Sequence, residues 1–338
     1  MLEVGVVGAS GFTGAELLRL VSGHPEMEVA VATADTQAGT PIAELYPSLA
    51  GAYGDRRFES YDRDRLDGLD LVFLGLPHGA SQSLAGDLLG RTGPVIDLAA
   101  DFRLKDAGLY DTWYGEPHAH PELIDRFVYG LPEVHRAEMG GAEGIAVPGC
   151  YPTAATLALR PLAVAGAIET AGVIVDAASG VSGAGRPPKP GTTFCAVDEN
   201  FAAYGLLDHR HTPEMEQEIG ATVLFTPHLA PMNRGILATC YARPRGAVST
   251  SDLLDVLHAA YEHEPFVVVV EGSPSTKATL GSNAAHVTVR VDARTGWVVA
   301  LAAIDNLGKG ASGQALQCAN VVSGLPEGLG LSAVGVYP

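Results

Sequence analysis

The feature that most constrains the fold is a glycine-rich turn, GASGFTG at residues 8–14, set between an apolar strand pattern and a helix pattern. The strand pattern covers Glu3–Val7 and the helix pattern covers Gly14–Ser22. Glycines at this point permit a tight turn and let a pyrophosphate approach the backbone, while the helix N-terminus supplies N–H donors. The turn therefore favours a dinucleotide-binding unit over a purely structural turn.

Similar apolar segments alternate with helix patterns through the rest of the first half. They are rich in Val, Leu and Ile on both faces, which is typical of a parallel sheet covered by helices on both sides. Further strands are expected at Val29–Thr33, Leu69–Leu74, Val95–Leu98 and Phe127–Tyr129, and a further helix at Ser81–Leu89. This order predicts an α/β domain over residues 1–148, with a doubly wound Rossmann-type parallel sheet.

The second half has a different pattern, in which strands follow one another with few helices between them. Two expected strands, Ala285–Val291 and Val298–Ile304, flank a turn at Asp292–Gly296, and the first of them alternates apolar and polar residues. The other elements are expected as helices at Thr153–Val164 and Ser251–Tyr261 and strands at Gly172–Ala178, Val223–Thr226, Leu237–Ala242 and Phe266–Val270. Residues 149–311 are therefore predicted to form an α+β domain with a mostly antiparallel mixed sheet, and a helix in 312–338 to complete the first domain.

Charge and hydrophobic run length exclude several kinds of partner. The net charge is −18, and a surface this acidic repels nucleic acid and anionic lipid. Apolar runs such as Phe266–Val270 are far shorter than the roughly 18 residues that span a bilayer. The first residues carry no basic region of the kind that begins an export signal. We therefore expect a cytoplasmic protein with a small-molecule substrate and no membrane or nucleic-acid partner.

One of the four cysteines lies in a sequence context that indicates reactivity. The segment VPGCYPT at residues 147–153 places Cys150 after a Pro-Gly turn, and Pro152 suits the first turn of a following helix. A helix N-terminus stabilises a thiolate, and its N–H groups can hold an oxyanion. Cys150 is therefore the predicted nucleophile. The remaining cysteines lie in or beside apolar elements and are expected to be buried and inert, namely Cys195, Cys240 and Cys318.

Two histidines next to a helix start provide candidates for proton transfer. In the segment HRHTPE at 209–214, Thr212 and Pro213 are suited to an N-cap and a first helical position. His209 or His211 could act as the acid/base, with Glu214 as a carboxylate that orients it. The spacing does not decide between the two histidines. No third ligand accompanies them at useful spacing, so no metal site is predicted.

Three polar or glycine-rich turns follow predicted strands, at 101–103, 179–186 and 305–311. Gly-rich turns after strands are often only turns. An arginine beside such a turn can nevertheless clamp a phosphate through two donors, and Arg103 and Arg186 are placed to do so.

The choice of dinucleotide depends on the loop after the second strand. Asp35 lies where an acidic residue would bind the ribose hydroxyls of NAD. Its neighbours Thr33 and Thr36 carry small hydroxyls, which suit the 2′-phosphate of NADP better. The residues themselves therefore favour NADP only slightly.

Nine segments in one order, spread along the whole chain, carry a resemblance to a known family. They include GASGFTGAELLRL (8–20), PGCYPT (148–153), SGVSGAGR (179–186), HRHTPEM (209–215) and DNLGKGASGQA (305–315), and the combination of PGCYPT with HRHTPE is the most specific part. Together they resemble the N-acetyl-gamma-glutamyl-phosphate reductases, which are related to the aspartate-semialdehyde dehydrogenases. The resemblance implies NADPH-dependent reduction of N-acetyl-L-glutamyl 5-phosphate to the 5-semialdehyde through a Cys150 thioester, in arginine biosynthesis, by a homo-oligomer (a dimer or tetramer).

The resemblance also implies roles for individual residues, with catalysis and oligomerisation in the second domain. His78, which follows a proline in the first domain, is expected to line the nicotinamide pocket. The cofactor candidates are Gly8, Ser10, Gly11, Thr13, Gly14, Thr33, Thr36, Ser182, Gly183 and Asn306. The substrate candidates are Arg103, Ser179, Arg186, Tyr204 and Arg210.

Other functions remain open at this stage. The same chemistry could act on aspartyl phosphate or on an aminoadipyl phosphate analogue, and a non-enzymatic NADP-binding sensor would need only the first domain. A short-chain dehydrogenase also opens with a turn like GASGFTG but requires a Tyr-x-x-x-Lys pair. None of the four lysines has a tyrosine four residues before it, which argues against that class.

Overall fold

The computed structural model describes Met1–Pro338 and contains two compact units. The first unit comprises Met1–Pro148 and Ala311–Leu331, and the second comprises Gly149–Gly310 and Ser332–Pro338.

The chain forms thirteen strands and eleven α-helices. The strands are β1 (Leu2–Val7), β2 (Met27–Thr33), β3 (Leu71–Leu74), β4 (Val95–Asp97), β5 (Phe127–Tyr129), β6 (Gly144–Ala146), β7 (Val173–Ser179), β8 (Ala202–Ala203), β9 (Val223–Leu229), β10 (Ile236–Ala242), β11 (Val267–Val269), β12 (Ala285–Val291) and β13 (Val298–Ile304). The helices are α1 (Phe12–Ser22), α2 (Ile42–Leu45), α3 (Ala50–Tyr53), α4 (Ala80–Leu88), α5 (Gly108–Tyr114), α6 (Pro132–Met139), α7 (Cys150–Val164), α8 (Phe194–Val197), α9 (Thr212–Ile219), α10 (Thr250–Tyr261) and α11 (Gly313–Val322).

The first unit is built on a six-stranded sheet in the order β2-β1-β3-β4-β6-β5, and every strand pair in it is parallel. The predicted doubly wound parallel sheet is therefore confirmed. Strand β6 was not predicted from the sequence, because two of its three residues are Gly and Ala, which are depleted in strands. The strand order reverses at β1 and β3, and ligands of such sheets bind outside the carboxyl ends of the strands at this point.

Two hydrophobic cores explain why the strands of this sheet are apolar on both faces. One core contains Val6 of β1 with Leu17 of α1 and Leu316 of α11. The other contains the next residue of β1, Val7, together with Leu88 of α4. Successive residues of a strand point to opposite faces, so neighbouring residues of β1 pack into opposite cores.

The second unit contains a seven-stranded mixed sheet in the order β11-β12-β13-β10-β7-β9-β8. The pairs β11–β12 and β7–β9 are parallel and the other four are antiparallel, which confirms a mostly antiparallel mixed sheet. Helix α7 packs on β10 and β13, and α10 packs on β12. Side chains of β7 and β10 alternate between buried and partly exposed, so one face of the sheet is more open than the other.

The end of the chain departs from the expectation that 312–338 completes the first domain. The helix in this region, α11, ends at Val322. The segment Ser332–Pro338 belongs to the second unit, because the Asn283 N–H donates to the Ser332 carbonyl and the Val336 N–H to the Leu280 carbonyl. Backbone hydrogen bonding rather than hydrophobic packing places this tail, and the sequence pattern carries no signal for it.

No helix of the chain combines the length and apolar character that crossing a membrane requires.

Candidate active site

Cys150 is the first residue of α7, in the second unit. Helix α7 begins three residues earlier than the sequence pattern suggested, so the cysteine lies within its first turn. The N-cap residue Gly149 is extended and provides no side-chain cap, and the first turn contains no acidic residue. Cys150 is partly exposed, whereas most of the helix behind it is buried. The helix dipole and the uncapped N–H groups therefore favour negative charge at this thiol.

Two side chains of the 209–214 segment lie against the residue that precedes the cysteine. Glu214 is fully buried, and its Oε1 accepts a hydrogen bond from the Gly149 N–H at 2.8 Å. His211 lies so close to Gly149 that a Cβ built on this glycine would be 2.6 Å from the imidazole Nε2. Helix α9 begins at Thr212, with His211 as its N-cap, one residue earlier than expected. The fold thus brings His211 and Glu214 to the turn that carries Cys150.

His209 occupies a different environment from His211. Its ring lies 5.7 Å from that of Tyr151, 5.6 Å from Tyr204 and 5.2 Å from Phe225, centroid to centroid. Burial, with a contribution from the neighbouring Arg210 charge, lowers the pKa of His209 to about 4. Its Nδ1 accepts a hydrogen bond from the His211 N–H at 3.2 Å. His209 is therefore neutral at physiological pH, with Nδ1 as acceptor and Nε2 as donor.

Tyr204 is one of the predicted substrate residues, and it lies near the cysteine. Its hydroxyl is 3.1 Å from that of Tyr151, which also donates to the His228 carbonyl. Burial raises the pKa of Tyr204 to about 12, and the nearby Cys150 charge acts in the same direction. Two neutral phenols thus contribute hydrogen-bonding groups beside the thiol.

The glycine-rich turns at 179–186 and 305–311 converge, as the predicted roles of their residues require. Asn306 Nδ2 donates to Ser182 Oγ at 2.9 Å, and the Asn306 Oδ1 accepts from the Gly235 N–H at 2.7 Å. A Cβ on Gly183 would lie 3.0 Å from Ser179 Oγ and 3.8 Å from Asn306 Nδ2. Four of the predicted site residues therefore form one cluster.

Gly310 is a site residue that sequence reasoning did not single out. A Cβ on Gly310 would lie 2.9 Å from the Cys150 Cβ and 3.2 Å from the Asp305 carbonyl oxygen. The Gly310 N–H donates to that same carbonyl at 2.9 Å. Only a glycine permits this approach to the cysteine, and the only sequence signal was the glycine content of the 305–311 turn.

The predicted arginines have different surroundings. Arg103 is buried in the first unit, where its guanidinium donates to the Val147 carbonyl at 2.7 Å and to the Leu98 carbonyl at 2.9 Å. Arg186 is partly exposed and Arg210 is exposed, both in the second unit. Arg103 therefore supports the backbone just after β4 and β6, while the other two arginines lie nearer the surface.

The glycine turn of the first unit has the shape that a pyrophosphate needs. Gly8 has a φ of +83°, and a Cβ there would lie 2.4 Å from the Gly75 carbonyl oxygen. A Cβ on Gly14 would lie 2.5 Å from Ala9 Cα. Gly11 faces open space, with only the Gly8 carbonyl oxygen nearby at 3.6 Å, and it precedes an α1 that has no side-chain cap and no acidic first turn. The residues present therefore fit a bound anion.

The other cofactor candidates line the same region of the first unit. The carbonyl of Ser10 accepts a hydrogen bond from the Tyr46 hydroxyl at 2.7 Å, and that of Thr13 accepts from Ser312 Oγ at 2.8 Å. Thr33 is buried at the end of β2, and its carbonyl accepts from the Ala9 N–H. Thr36 is exposed in the loop that follows, as is Asp35.

The expectation of three buried cysteines is wrong for one of them. Cys240 and Cys318 are buried, and burial raises the pKa of the Cys240 thiol well above its usual range. Cys195 is exposed in the four-residue helix α8. The neighbouring apolar residue of that helix, Phe194, is also exposed, at 78%. An apolar neighbour in the sequence is therefore no guide to burial in this segment.

No group of three or more His, Cys, Asp or Glu side chains is arranged to hold a metal ion.

A parallel dinucleotide-type sheet, a mixed-sheet unit and a cysteine at a helix N-terminus beside a histidine define a two-domain semialdehyde dehydrogenase, and comparisons with known proteins agree. Residues 3–142 match the semialdehyde dehydrogenase NAD binding domain, and residues 150–306 match the semialdehyde dehydrogenase dimerisation domain. The chain is 49% identical to an N-acetyl-gamma-glutamyl-phosphate reductase of Geobacter sulfurreducens and 47% identical to one of Pseudomonas aeruginosa, over 100% of both chains in each comparison. The protein belongs to the N-acetyl-gamma-glutamyl-phosphate reductase family of oxidoreductases, and the resemblance inferred from its motifs is confirmed.

Solved structures agree on the fold. Aspartate semialdehyde dehydrogenase II of Vibrio cholerae, complexed with ASA, superposes with a TM-score of 0.71 at 17% identity, covering 96% of this chain and 98% of that one. Aspartate semialdehyde dehydrogenase with NADP from Candida albicans gives 0.70 at 18% identity, covering 96% and 99%. At such identities the likeness concerns the fold alone.

Proposed function

We propose that the protein catalyses the NADPH-dependent reduction of N-acetyl-L-glutamyl 5-phosphate to N-acetyl-L-glutamate 5-semialdehyde and phosphate, in arginine biosynthesis. The observation that carries the proposal is the placement of Cys150 at the uncapped N-terminus of α7, with His211 and Glu214 against the preceding Gly149. Full-length relatives that bear the name of this reductase support the choice of substrate.

The chemistry at Cys150 follows from its position. The thiolate attacks the carbonyl carbon of the acyl phosphate, and N–H groups at the start of α7 hold the oxyanion that forms. The C–O bond to phosphate then breaks, phosphate leaves with the electron pair, and a thioester remains on Cys150. NADPH, which the residues of the 8–14 turn would hold, would supply a hydride to the carbonyl carbon of this thioester. Breakage of the C–S bond releases the aldehyde and returns the thiolate.

Within this proposal His211 is the acid/base. It lies against Gly149, the residue before the nucleophile, so its imidazole can take the proton of the Cys150 thiol. It can return that proton to the departing phosphate oxygen. His209 has a pKa near 4, and its Nδ1 is engaged by the His211 N–H, so it suits a fixed hydrogen-bond donor better than a proton carrier.

NADP is the proposed cofactor, and the residues of the 8–14 turn would hold its pyrophosphate. The open space at Gly11 and the uncapped N-terminus of α1 support this placement of the pyrophosphate. Thr36 would face the 2′-phosphate, and Asp35 beside it is the group that would instead favour NAD. Comparing kcat/KM for NADPH and NADH decides the preference, and a preference for NADH would assign Asp35 to the ribose hydroxyls.

We also propose that the protein works as a homo-oligomer in the cytoplasm. The partly exposed face of the second unit's sheet includes apolar side chains of β10 and β13, such as Leu237, Tyr241 and Leu301. Such a face is suited to pack against a second copy of the chain. None of the four cysteines forms a disulfide, which suits a compartment that keeps thiols reduced.

A substrate panel tests the proposed function against its nearest rivals. NADPH oxidation is measured with N-acetyl-L-glutamyl 5-phosphate, aspartyl phosphate and an aminoadipyl phosphate analogue. The proposal expects the highest kcat/KM for the first. A preference for either of the other two would mean that the protein performs the same chemistry on a different substrate. No turnover with any of the three would favour a non-enzymatic NADP-binding sensor.

A further inference from the structure

A long segment of the second unit, residues 186–210, carries large apolar side chains that its own chain does not bury. Val197 is the only buried residue of the segment. Side chains such as Phe and Leu are normally buried, and several of them on one surface segment mark a site of interaction. We call residues 186–210 the apolar arm. Four of its large apolar residues are between 60 and 78% exposed, namely Phe194, Phe201, Leu206 and Leu207.

The backbone of the apolar arm is strained at one of these exposed residues. Leu207 has a φ of +68°, in the left-handed region, and the residue is 75% exposed. A bulky side chain at positive φ is an outlier that persists only where its surroundings stabilise it. Since Leu207 gains little packing within its own chain, the stabilising contact is expected from outside the chain.

Phe201 connects the apolar arm to the more open face of the mixed sheet. Its ring stacks on that of His228, in β9, with centroids 5.1 Å apart and planes 4° apart. Across the sheet, His228 pairs with Ala178 of β7, and Ala178 pairs with Leu237 of β10. Cross-strand partners place their side chains on the same face of a sheet. The arm is therefore continuous with the face, including Leu237, through which we propose that copies of the chain associate.

The charge of the apolar arm favours a second copy of the chain as its partner. The chain carries a net charge of −18, so the acidic surfaces of two copies repel each other. A neutral apolar surface that carries both signs of charge avoids this repulsion and can meet its own copy about a two-fold axis. The arm has no net charge, because three acidic residues balance three basic ones: Asp198, Glu199 and Asp208 against Arg186, Lys189 and Arg210.

The apolar arm also carries part of the Cys150 site. The Tyr204 hydroxyl lies 3.1 Å from that of Tyr151, and the His209 ring lies 5.6 Å from the Tyr204 ring. Burial and the nearby Cys150 charge raise the pKa of Tyr204 to about 12. The backbone attachment of this part of the arm to the sheet is short, since β8 has two residues and the Tyr204 N–H donates to the Pro227 carbonyl at 3.1 Å. A contact that fixes the arm therefore also fixes Tyr204 beside the nucleophile.

We propose that the apolar arm packs against a second copy of the chain, and that this contact holds Tyr204 in place beside Cys150. The site is then incomplete in a separated chain, and turnover requires assembly. The effect on turnover rests on the proposed function, whereas the contact itself is measured without substrate.

Sedimentation velocity over a dilution series tests the contact, with wild type and Leu207→Asp. Aspartate tolerates a left-handed φ better than leucine does, and the position is exposed, so the substitution should not destabilise the folded chain. A charge placed in the interface should raise the dissociation constant of the oligomer about tenfold or more. The matched control is Val334→Asp, at an apolar residue of the same unit that is 78% exposed, and it should leave the dissociation constant unchanged.

Turnover separates an effect of assembly from a direct effect on the site. The kcat per subunit of Leu207→Asp is measured below and above the enzyme concentration at which this variant associates. We expect a loss of about tenfold or more below that concentration, because Tyr204 is then not held, and a return toward the wild-type value above it. A loss that is the same at every enzyme concentration would mean that Leu207 acts only within its own chain.

Cys195 reports directly whether the apolar arm is covered. Cys195 is exposed in the arm, whereas Cys240 and Cys318 are buried, so Cys195 is the accessible thiol of a Cys150→Ser variant. We expect iodoacetamide to alkylate it about tenfold more slowly in the oligomer than in the diluted, dissociated chain, because a covered thiol reacts through the dissociated fraction. Protection that depends on NADP and substrate but not on protein concentration would instead make the arm a lid.

The inference is overturned if Leu207→Asp associates as tightly as wild type, or if Cys195 reacts equally fast at every protein concentration. Failure of the proposed function gives a different result. Wild type would then turn over no substrate of the panel, while sedimentation and Cys195 alkylation would still decide whether the arm contacts a second copy.

Discussion

His209 and His211 are two positions apart in the chain, and their surroundings give them different chemistry. We predict that His211→Asn lowers kcat by roughly 10²–10⁴-fold with the fold intact, because this side chain lies against Gly149 beside the nucleophile. His209→Asn should lower kcat by a much smaller factor. Separate kinetic measurements of the two variants, with circular dichroism as a control for folding, check this. A large loss in His209→Asn with little change in His211→Asn would reverse the assignment.

Asp97 gives the first unit a pH-dependent stability. Its ordinary pKa of 3.8 applies to the unfolded chain, and burial beside Asp101 raises the folded value to about 7. Below about pH 4 both states hold the proton, and the contribution of Asp97 to stability is fully present. Between about pH 4 and 7 only the unfolded chain releases the proton, so folding is progressively destabilised, and above that the loss is constant.

Replacing Asp97 by Asn should remove this dependence. The amide keeps the shape of the group and can still accept from the Ala99 N–H, as Asp97 Oδ1 does at 3.0 Å. We predict that Asp97→Asn gains stability over wild type as pH rises from 5 to 8, by an amount on the order of a few kcal/mol, in urea unfolding measurements. A difference that stays the same at both pH values would show that Asp97 ionises normally in the fold.

At the scale of elements, the start of α7 depends on how closely the 305–311 turn approaches it. Gly310→Ala would place a Cβ 2.9 Å from the Cys150 Cβ, a distance that requires the cysteine or the turn to shift. We predict a fall in kcat of at least tenfold, since a displacement of about 1 Å at a nucleophile has effects of this size or larger. The matched control is Gly272→Ala, at a glycine with no atom near its Cβ position. Equal activity of the two variants would contradict this.

The same elements explain what sequence could and could not predict. Strand β1, the glycine turn and α1 follow one another directly in the chain. The residue pattern at 8–14 therefore indicated both the local structure and a dinucleotide-binding role. Cys150 was identified for the same reason, because a Pro-Gly turn before a helix is a local signal. The contacts of His211 to Gly149 and of Gly310 to Cys150 join positions far apart in the chain, and no single-sequence pattern encodes them. Exposure of Cys195 and pairing of the 332–338 tail likewise depend on tertiary structure.

At the scale of the whole molecule, the more open face of the mixed sheet should join copies of the chain. We predict that Leu301→Asp, in the middle of β13, yields smaller species in sedimentation velocity, because burying a charge in such an interface is costly. Val164→Asp is the control, since Val164 is an apolar residue of the same unit that is 74% exposed. An unchanged oligomer in Leu301→Asp would exclude this face as the interface.

The reverse reaction tests the central claim most directly. N-acetyl-L-glutamate 5-semialdehyde, NADP and inorganic phosphate are incubated with wild type and with Cys150→Ser, and NADPH is followed by its absorbance. We predict NADP reduction by wild type that requires phosphate, and none by Cys150→Ser, because only a thioester on Cys150 can be released by phosphate as the acyl phosphate. NADP reduction that is independent of phosphate, or that persists in Cys150→Ser, would contradict it.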